Sequence, residues 1–148
     1  METSECGGCL KKWKSNYVKF EINMNLEIIQ EEFTVCKVDD YEGIDLWRPF
    51  VFTGCTDEEK SLVCPTTLAP QKTSAREDGW RAFRIVGVLD FSLVGILARI
   101  SSCLADNGIG IFAISTFNTD YILIKKDSFN HALKILANNG HSIIGKRE

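Results

Sequence analysis

The chain has 148 residues, 45% apolar and 25% charged, with a formal net charge of -3. That apolar content excludes a disordered chain, and no apolar run reaches the length of a membrane helix. The even mixture of 17 Lys+Arg with 20 Asp+Glu forms no basic block and so argues against nucleic acid as a partner. There are two histidines, His131 and His141, a scarcity that weighs against histidine-based catalysis.

Residues 1–31 read as an N-terminal extension. Cys6-Gly-Gly-Cys9 is followed by Lys11, Lys12 and Lys14, with no sustained period and room for an edge strand around Tyr17 to Ile22. The first residues, Met-Glu-Thr-Ser-Glu, have neither the basic start nor the apolar stretch of a signal peptide. The expectation is a cytoplasmic protein with reduced thiols. Cys36, Cys64 and Cys103 then act as small hydrophobes inside apolar patterns.

From Phe33 the pattern sharpens. Phe33-Thr-Val-Cys-Lys-Val38 alternates as a strand does, Phe50-Val-Phe-Thr53 is a second strand, and Ser61-Leu-Val-Cys64 a third, closed by Pro65. The polar stretch Asp39 to Pro49 separates the first two. An acidic turn, Gly54 to Glu59, separates the others, and Thr66 to Gly79 reads as a linker. The second half is more regular. Phe83 to Val88 is a strand. Asp90 or Ser92 caps a helix to about Asn107 with Leu93, Leu97, Ile100 and Leu104 on one face and Gly108 as its stop. Ile109 to Thr116 and Asp120 to Lys125 are strands about the turn Phe117-Asn-Thr119. Asp127 or Ser128 caps a helix lined by Phe129, Ala132, Leu133 and Leu136 that ends at Gly140, and Ser142 to Ile144 is a short last strand. The order β-α-β-β-α-β is a ferredoxin-like unit.

A weak repeat joins the halves. Phe33 to Val38 aligns with Phe83 to Val88 at an offset of 50, and Phe50 to Cys64 with Ile111 to Lys125 at an offset of 61. The first crossover is thus eleven residues shorter and has no room for a helix of equal length. The expectation is an α+β chain of two such units, 32–78 and 79–148. Its sheets are antiparallel with helices on one face, and the first unit has a shortened crossover helix. A chance match of two β-rich stretches is the competing explanation.

Chemistry concentrates in Asp90-Phe-Ser-Leu-Val-Gly-Ile96 and Ile111 to Tyr121. The first opens a helix directly after a strand, where free N–H groups and the positive end of the dipole hold a carboxylate or phosphate. The second brings Ser115, Thr116 and Asp120 to a strand end. An anion site beside a carboxylate suits a zwitterion, with Asp120 taking the ammonium. The same residue types also serve as caps and turns, so Ser92 as a plain N-cap, Ser115 and Thr116 as strand-end hydroxyls and Asp120 as a turn acceptor stay open.

On these residues, Phe91-Ser-Leu-Val-Gly-Ile-Leu97 and Ile111-Phe-Ala-Ile-Ser-Thr-Phe-Asn-Thr-Asp-Tyr121, the chain resembles the paired ACT-like proteins. ACT domains are small ligand-binding modules of amino-acid metabolism. Gly79-Trp-Arg81 and Thr56 to Cys64 share the likeness, which runs from about Phe33 to His141. More distantly it extends to aspartate-kinase ACT domains and a cytosolic arginine sensor. The resemblance implies a regulatory module that binds a small molecule, an amino acid, and forms a homodimer. Ser115, Thr116, Phe117 and Asp120 would form the ligand loop, and Ser92, Leu93, Val94 and Gly95 the carboxylate-binding helix start.

A second reading is a protein-interaction module of the same fold without a ligand. A third, zinc or redox chemistry at Cys6 and Cys9, lacks the second Cys-x-x-Cys that a closed zinc site needs. No P-loop, nucleophile elbow or base beside a nucleophile is present, so neither an enzyme nor a cofactor is expected. His131 is placed on a helix surface, His141 in a loop, and Trp47 and Trp80 in core or interface.

Overall fold

The computed structural model describes residues 23–86 and 95–145. Asn25–Val38 is a 14-residue strand, β1, whose alternation is clear only from Phe33 onward. Residues 25–31 of the expected extension therefore belong to the sheet. Then come β2 (Phe52–Cys55), β3 (Lys60–Pro65), a single 3-10 turn (Thr66–Leu68), β4 (Ala75–Ile85), α1 (Ile96–Ala105), β5 (Phe112–Ser115), β6 (Asp120–Lys125), α2 (Lys126–Asn138) and β7 (Ser142–Ile144). The seven strands form one sheet in the order β2-β3-β1-β4-β6-β5, with β7 paired to the start of β1. That last pairing is parallel and the others are antiparallel. The α+β, ferredoxin-like class expected from the sequence is what the chain adopts.

The two long strands β1 and β4 join the halves. Their register slips between Ile29 and Glu32 and again between Phe33 and Val35. Residues 75–77 of β4 pair with 35–37 of β1 and extend the first half, while 80–85 pair with 26–33 and belong to the second. At this slip Gly79 takes a φ of 79° that a side chain would strain. Asp78 pins the place. It accepts from Arg76 Nε at 3.0 and 3.1 Å and from the buried Thr34 hydroxyl at 2.5 Å. The Arg76 bond first, and then that of Thr34, holds the Asp78 carboxyl below its ordinary range.

The ladder corrects the register of the repeat. Phe52 faces Val63 as Phe112 faces Leu123, and Phe33 faces Pro65 as Trp80 faces Lys125. Phe33 therefore corresponds to Trp80 rather than to Phe83, and Phe52 to Phe112 rather than to Ala113. Both faces of β4 carry apolar residues, Phe83 and Ile85 on one and Trp80 and Ala82 on the other, so the apolar pattern there does not tell one register from the other.

In the second half both helices cover one face. Ile96, Ile100, Leu104, Phe129, Leu133 and Leu136 pack over Leu26, Ile28, Phe83, Ile85, Ile122 and Ile124. The first half has no helix between β1 and β2: residues 39–51 run through turns instead. Tyr41, Ile44 and Val51 pack there with Leu68 over Cys36, Val38, Leu62 and Cys64. The shortened crossover has become a loop. On the opposite face, Phe33, Ala82 and Leu123 lie under a group of rings. Phe52 of β2 meets Tyr121 of β6 at 5.1 Å, although three strands separate β2 from β6. At ~4.8 Å per strand a flat sheet would hold them ~19 Å apart. The sheet is curled, and the curl buries this face without a second layer.

The helix starts differ from expectation. Gly95, with a φ of 89°, precedes α1, and Asp90 and Ser92 lie outside the described residues. Lys125 precedes α2, and Asp127 sits in the first turn, favourable there for the dipole rather than as a cap.

Cys36 and Cys64 are buried, Cys103 is half-buried and Cys55 is exposed, all as free thiols. Burial, and then the neighbouring Cys36, pushes the Cys64 thiol up to about 11. Cys6 and Cys9 lie outside the described residues. With Cys6 and Cys9 replaced by Ser, an aromatic disulfide reagent should label Cys55 at once and Cys36 and Cys64 only on unfolding. Rapid labelling of the latter pair in the native protein would contradict this core.

His141 accepts the Met24 N–H at Nδ1 (3.2 Å), next to the Ser142 N–H to Met24 carbonyl bond that starts the β1–β7 pairing. Burial, and then the Arg99 charge, lowers its pKa below 6.5. The unfolded chain thus binds the proton first as pH falls. His141 contributes stability that is present above 6.5 and lost as pH drops through the lower folded value. Thermal melts from pH 7.5 to 5 should show a smaller loss for His141→Gln, which keeps an acceptor but does not titrate. Identical slopes would remove His141 from the pH dependence.

Candidate functional site

The β5–β6 hairpin holds half of the expected site: Ser115, Thr116, Phe117 and Asp120. Ser115 and Asp120 are directly opposed in the ladder, and the Ser115 hydroxyl donates to Asp120 Oδ1 at 2.5 Å. Between them, Thr116 donates through both its N–H and its hydroxyl to the Thr119 carbonyl, each at 2.8 Å. The Thr119 N–H returns to Thr116 Oγ1 at 3.3 Å. Phe117 projects from this turn, 80% exposed. The β2–β3 turn is built alike, with the Thr56 N–H donating to the Glu59 carbonyl at 2.9 Å. Where the second hairpin pairs Ser115 with Asp120, the first pairs Cys55 with Lys60, so the carboxylate belongs to the second half alone.

Thr119 reads as an ordinary turn residue in the sequence, yet it is the anchor of the hairpin. It is buried, and its hydroxyl donates to the Ile85 carbonyl at 2.7 Å. The turn is thereby fixed to the end of β4, the strand from which the chain leads to α1. Nothing in composition or spacing marks this contact, because it joins residues 34 positions apart. A second polar group went equally unmarked. Arg84 donates from Nε to Glu27 at 2.8 Å and from its terminal nitrogen to the Tyr121 hydroxyl at 3.2 Å. These three residues face one another across β1, β4 and β6.

Of the expected helix-start residues, Gly95 stands at the head of α1, while Ser92, Leu93 and Val94 lie outside the described residues. Among the described residues no side chain caps this helix, and its first turn holds no acidic residue. Ser115, Thr116, Phe117 and Asp120 come together in one hairpin, and Gly95 sits at a separate element. A cavity of about 190 Å3 in the first half, lined by Val38, Asp40, Ile44, Pro70 and Lys72 among others, includes none of these residues. His131 is exposed on α2. Among the described residues no cluster of three or more His, Cys, Asp or Glu is placed to hold a metal, and no helix is long and apolar enough to cross a membrane.

Comparison with known proteins places this geometry. Residues 75–138 match the family model described as ACT domain. A crystallographically solved Agobacterium tumefaciens protein is 32% identical, with a TM-score of 0.74, over 85% of this chain and 96% of that one. The regulatory subunit of aspartate kinase from Thermus thermophilus, in a ligand-free form, shares the fold at a TM-score of 0.55 and 12% identity, over 77% of this chain and 95% of that one. The Bos taurus protein named cytosolic arginine sensor for mTORC1 subunit 1 is 38% identical over 65 residues, 43% of this chain. The match spans only 20% of the sensor's own length. The chain belongs to the ACT-domain family.

Proposed function

We propose that this chain is a regulatory ACT protein that binds a small molecule, an amino acid, in its second unit. The ligand carboxylate sits at the start of α1 on the N–H groups of Ser92, Leu93, Val94 and Gly95. Its ammonium meets Asp120, and Ser115, Thr116 and Phe117 complete the loop. The observation that carries this reading is the Ser115–Asp120 pair, held on a hairpin that Thr119 ties to β4. The Ser115 bond occupies Oδ1 and aims the carboxylate, leaving Oδ2 for an ammonium donor. The head of α1, where no described side chain forms a cap, supplies the opposite pole. Family membership and the name of the sensor relative support the ligand class. The chain acts by binding, without catalysis or cofactor, in the cytoplasm, as a homodimer of two-unit chains divided at 31/32 and 78/79.

A second reading, an interaction module of the same fold without ligand, draws on the same bond, since Ser115 already satisfies part of Asp120. A thermal-shift panel of the common amino acids separates the two. A ligand at a hundred times its Kd adds about 2.7 kcal/mol to folding, a rise of several degrees. Asp120→Ala should abolish that rise and leave the unliganded Tm within a degree or two. No shift with any amino acid at millimolar concentration would sink the ligand reading.

Thr119→Val deletes the anchor while keeping its shape. It strands the Ile85 carbonyl and should cost about 1–3 kcal/mol. Denaturant melts would measure this, and the same variant should lose ligand affinity. A neutral effect on both would show that the hairpin holds its place without Thr119.

A further inference from the structure

The end of the first half carries a surface that the ligand reading does not use. In the loop between β1 and β2, Trp47 is 96% exposed and Leu46 45%. The Trp47 side chain leaves nearly its whole apolar area in water, and the loop beneath it is pinned on both sides. Upstream, the Tyr41 hydroxyl donates to the Ser61 carbonyl at 2.9 Å, and Ile44 packs into the core of the first half. Asp45 accepts the Trp47 N–H at 3.1 Å. Downstream, Phe50 is held at a φ of 63°, outside the usual range for a side-chain residue. Its ring packs 6.3 Å from both Phe33 and Tyr121 on the opposite face of the sheet. A large side chain presented by a fixed backbone loses little entropy on contact, which is how anchor residues of interfaces are built.

The charge around this anchor is mostly negative, although Arg48, next to Trp47 in the chain, is exposed as well. Asp39, Asp40, Glu42 and Asp45 are exposed along the loop. The β2–β3 turn adds exposed Asp57, Glu58 and Glu59 at the same end, where Tyr41 reaches Ser61. The equivalent turn of the second half, Thr116 to Thr119, carries no charge. Such a field repels nucleic acid and anionic membranes and attracts a basic surface.

We propose that this end of the first half docks another protein, whose contact site is an apolar pocket rimmed by lysine and arginine, with Trp47 and Leu46 as the inserted anchors. The ligand-binding unit and the partner-binding unit are then different halves of one sheet.

The test begins with a photo-reactive phenylalanine analogue at position 46 of the full chain, expressed in the cells it comes from. The cross-linked protein is identified, purified and titrated by calorimetry against the unmodified chain. The expected result is a defined partner cross-linked beside Lys or Arg. Its affinity should fall roughly tenfold or more with Trp47→Ala. It should fall again between low and ~0.5 M salt, where surface charges are screened. Because Trp47 packs on nothing, the variant should keep the parent Tm. Asp45→Asn with Glu42→Gln should weaken binding without touching the anchors. Cross-linking only to a second copy, to nucleic acid or lipid, or to nothing overturns the proposal. So does a partner whose affinity ignores either Trp47→Ala or salt.

Discussion

The structure depends on the antiparallel pairing of β1 with β4. Every other strand is reached from one of these two: β3 and then β2 from β1, β6 and then β5 from β4, and β7 from the start of β1. The register slip at their middle turns one long ribbon into the spine of two half-sheets. Asp78, Arg76 and Thr34 tie that slip together, so a buried threonine and an ion pair are satisfied where the backbone is least regular. The curl that brings Phe52 onto Tyr121 follows from the same place, since a bulge adds local twist and bends the strand that carries it.

Much of this was legible in the sequence. Three-and-four spacing at Ile100, Leu104, Phe129, Leu133 and Leu136 gives both helix faces, and these side chains are buried. Short apolar runs mark β3 and β6, whose central residues are buried on both faces of the sheet. What was hidden is the pairing between elements. The start of β1 looked like an appendage because Leu26, Ile28 and Ile29 are apolar on both faces, and so show no clean period. The shorter connection between β1 and β2 pointed to a shortened crossover helix, whereas the chain fills it with turns. Of the candidate site, Ser115 and Asp120 were visible as a hydroxyl and an acid flanking a turn. Thr119 was not, since its role is a bond to a distant strand.

The two halves have diverged by subtraction. The hairpins keep the same register and the same turn bonds, down to a threonine at equivalent positions, Thr56 and Thr116. What differs is the layer above them. One half keeps two helices, α1 and α2. The other replaces helix with loop, and its acidic, tryptophan-bearing end has no counterpart across the spine. The hairpin of the candidate site hangs from the Ile85 end of β4, while the tryptophan loop leaves the Val38 end of β1. In an antiparallel pair these are opposite ends of the ribbon.

The position of the first strand has a consequence for inheritance. Residues 25–29 lie between β4 and β7, where a free-standing unit of this type would pair its own first and last strands directly. The second half is therefore incomplete without a piece of chain that precedes the first. A gene fragment encoding 79–148 would expose the edge of β4 and leave β7 without a neighbour. The two halves can be copied, lost or fused only together, and the chain must close its longest loop, from Asn25 to Ser142, before the sheet is whole.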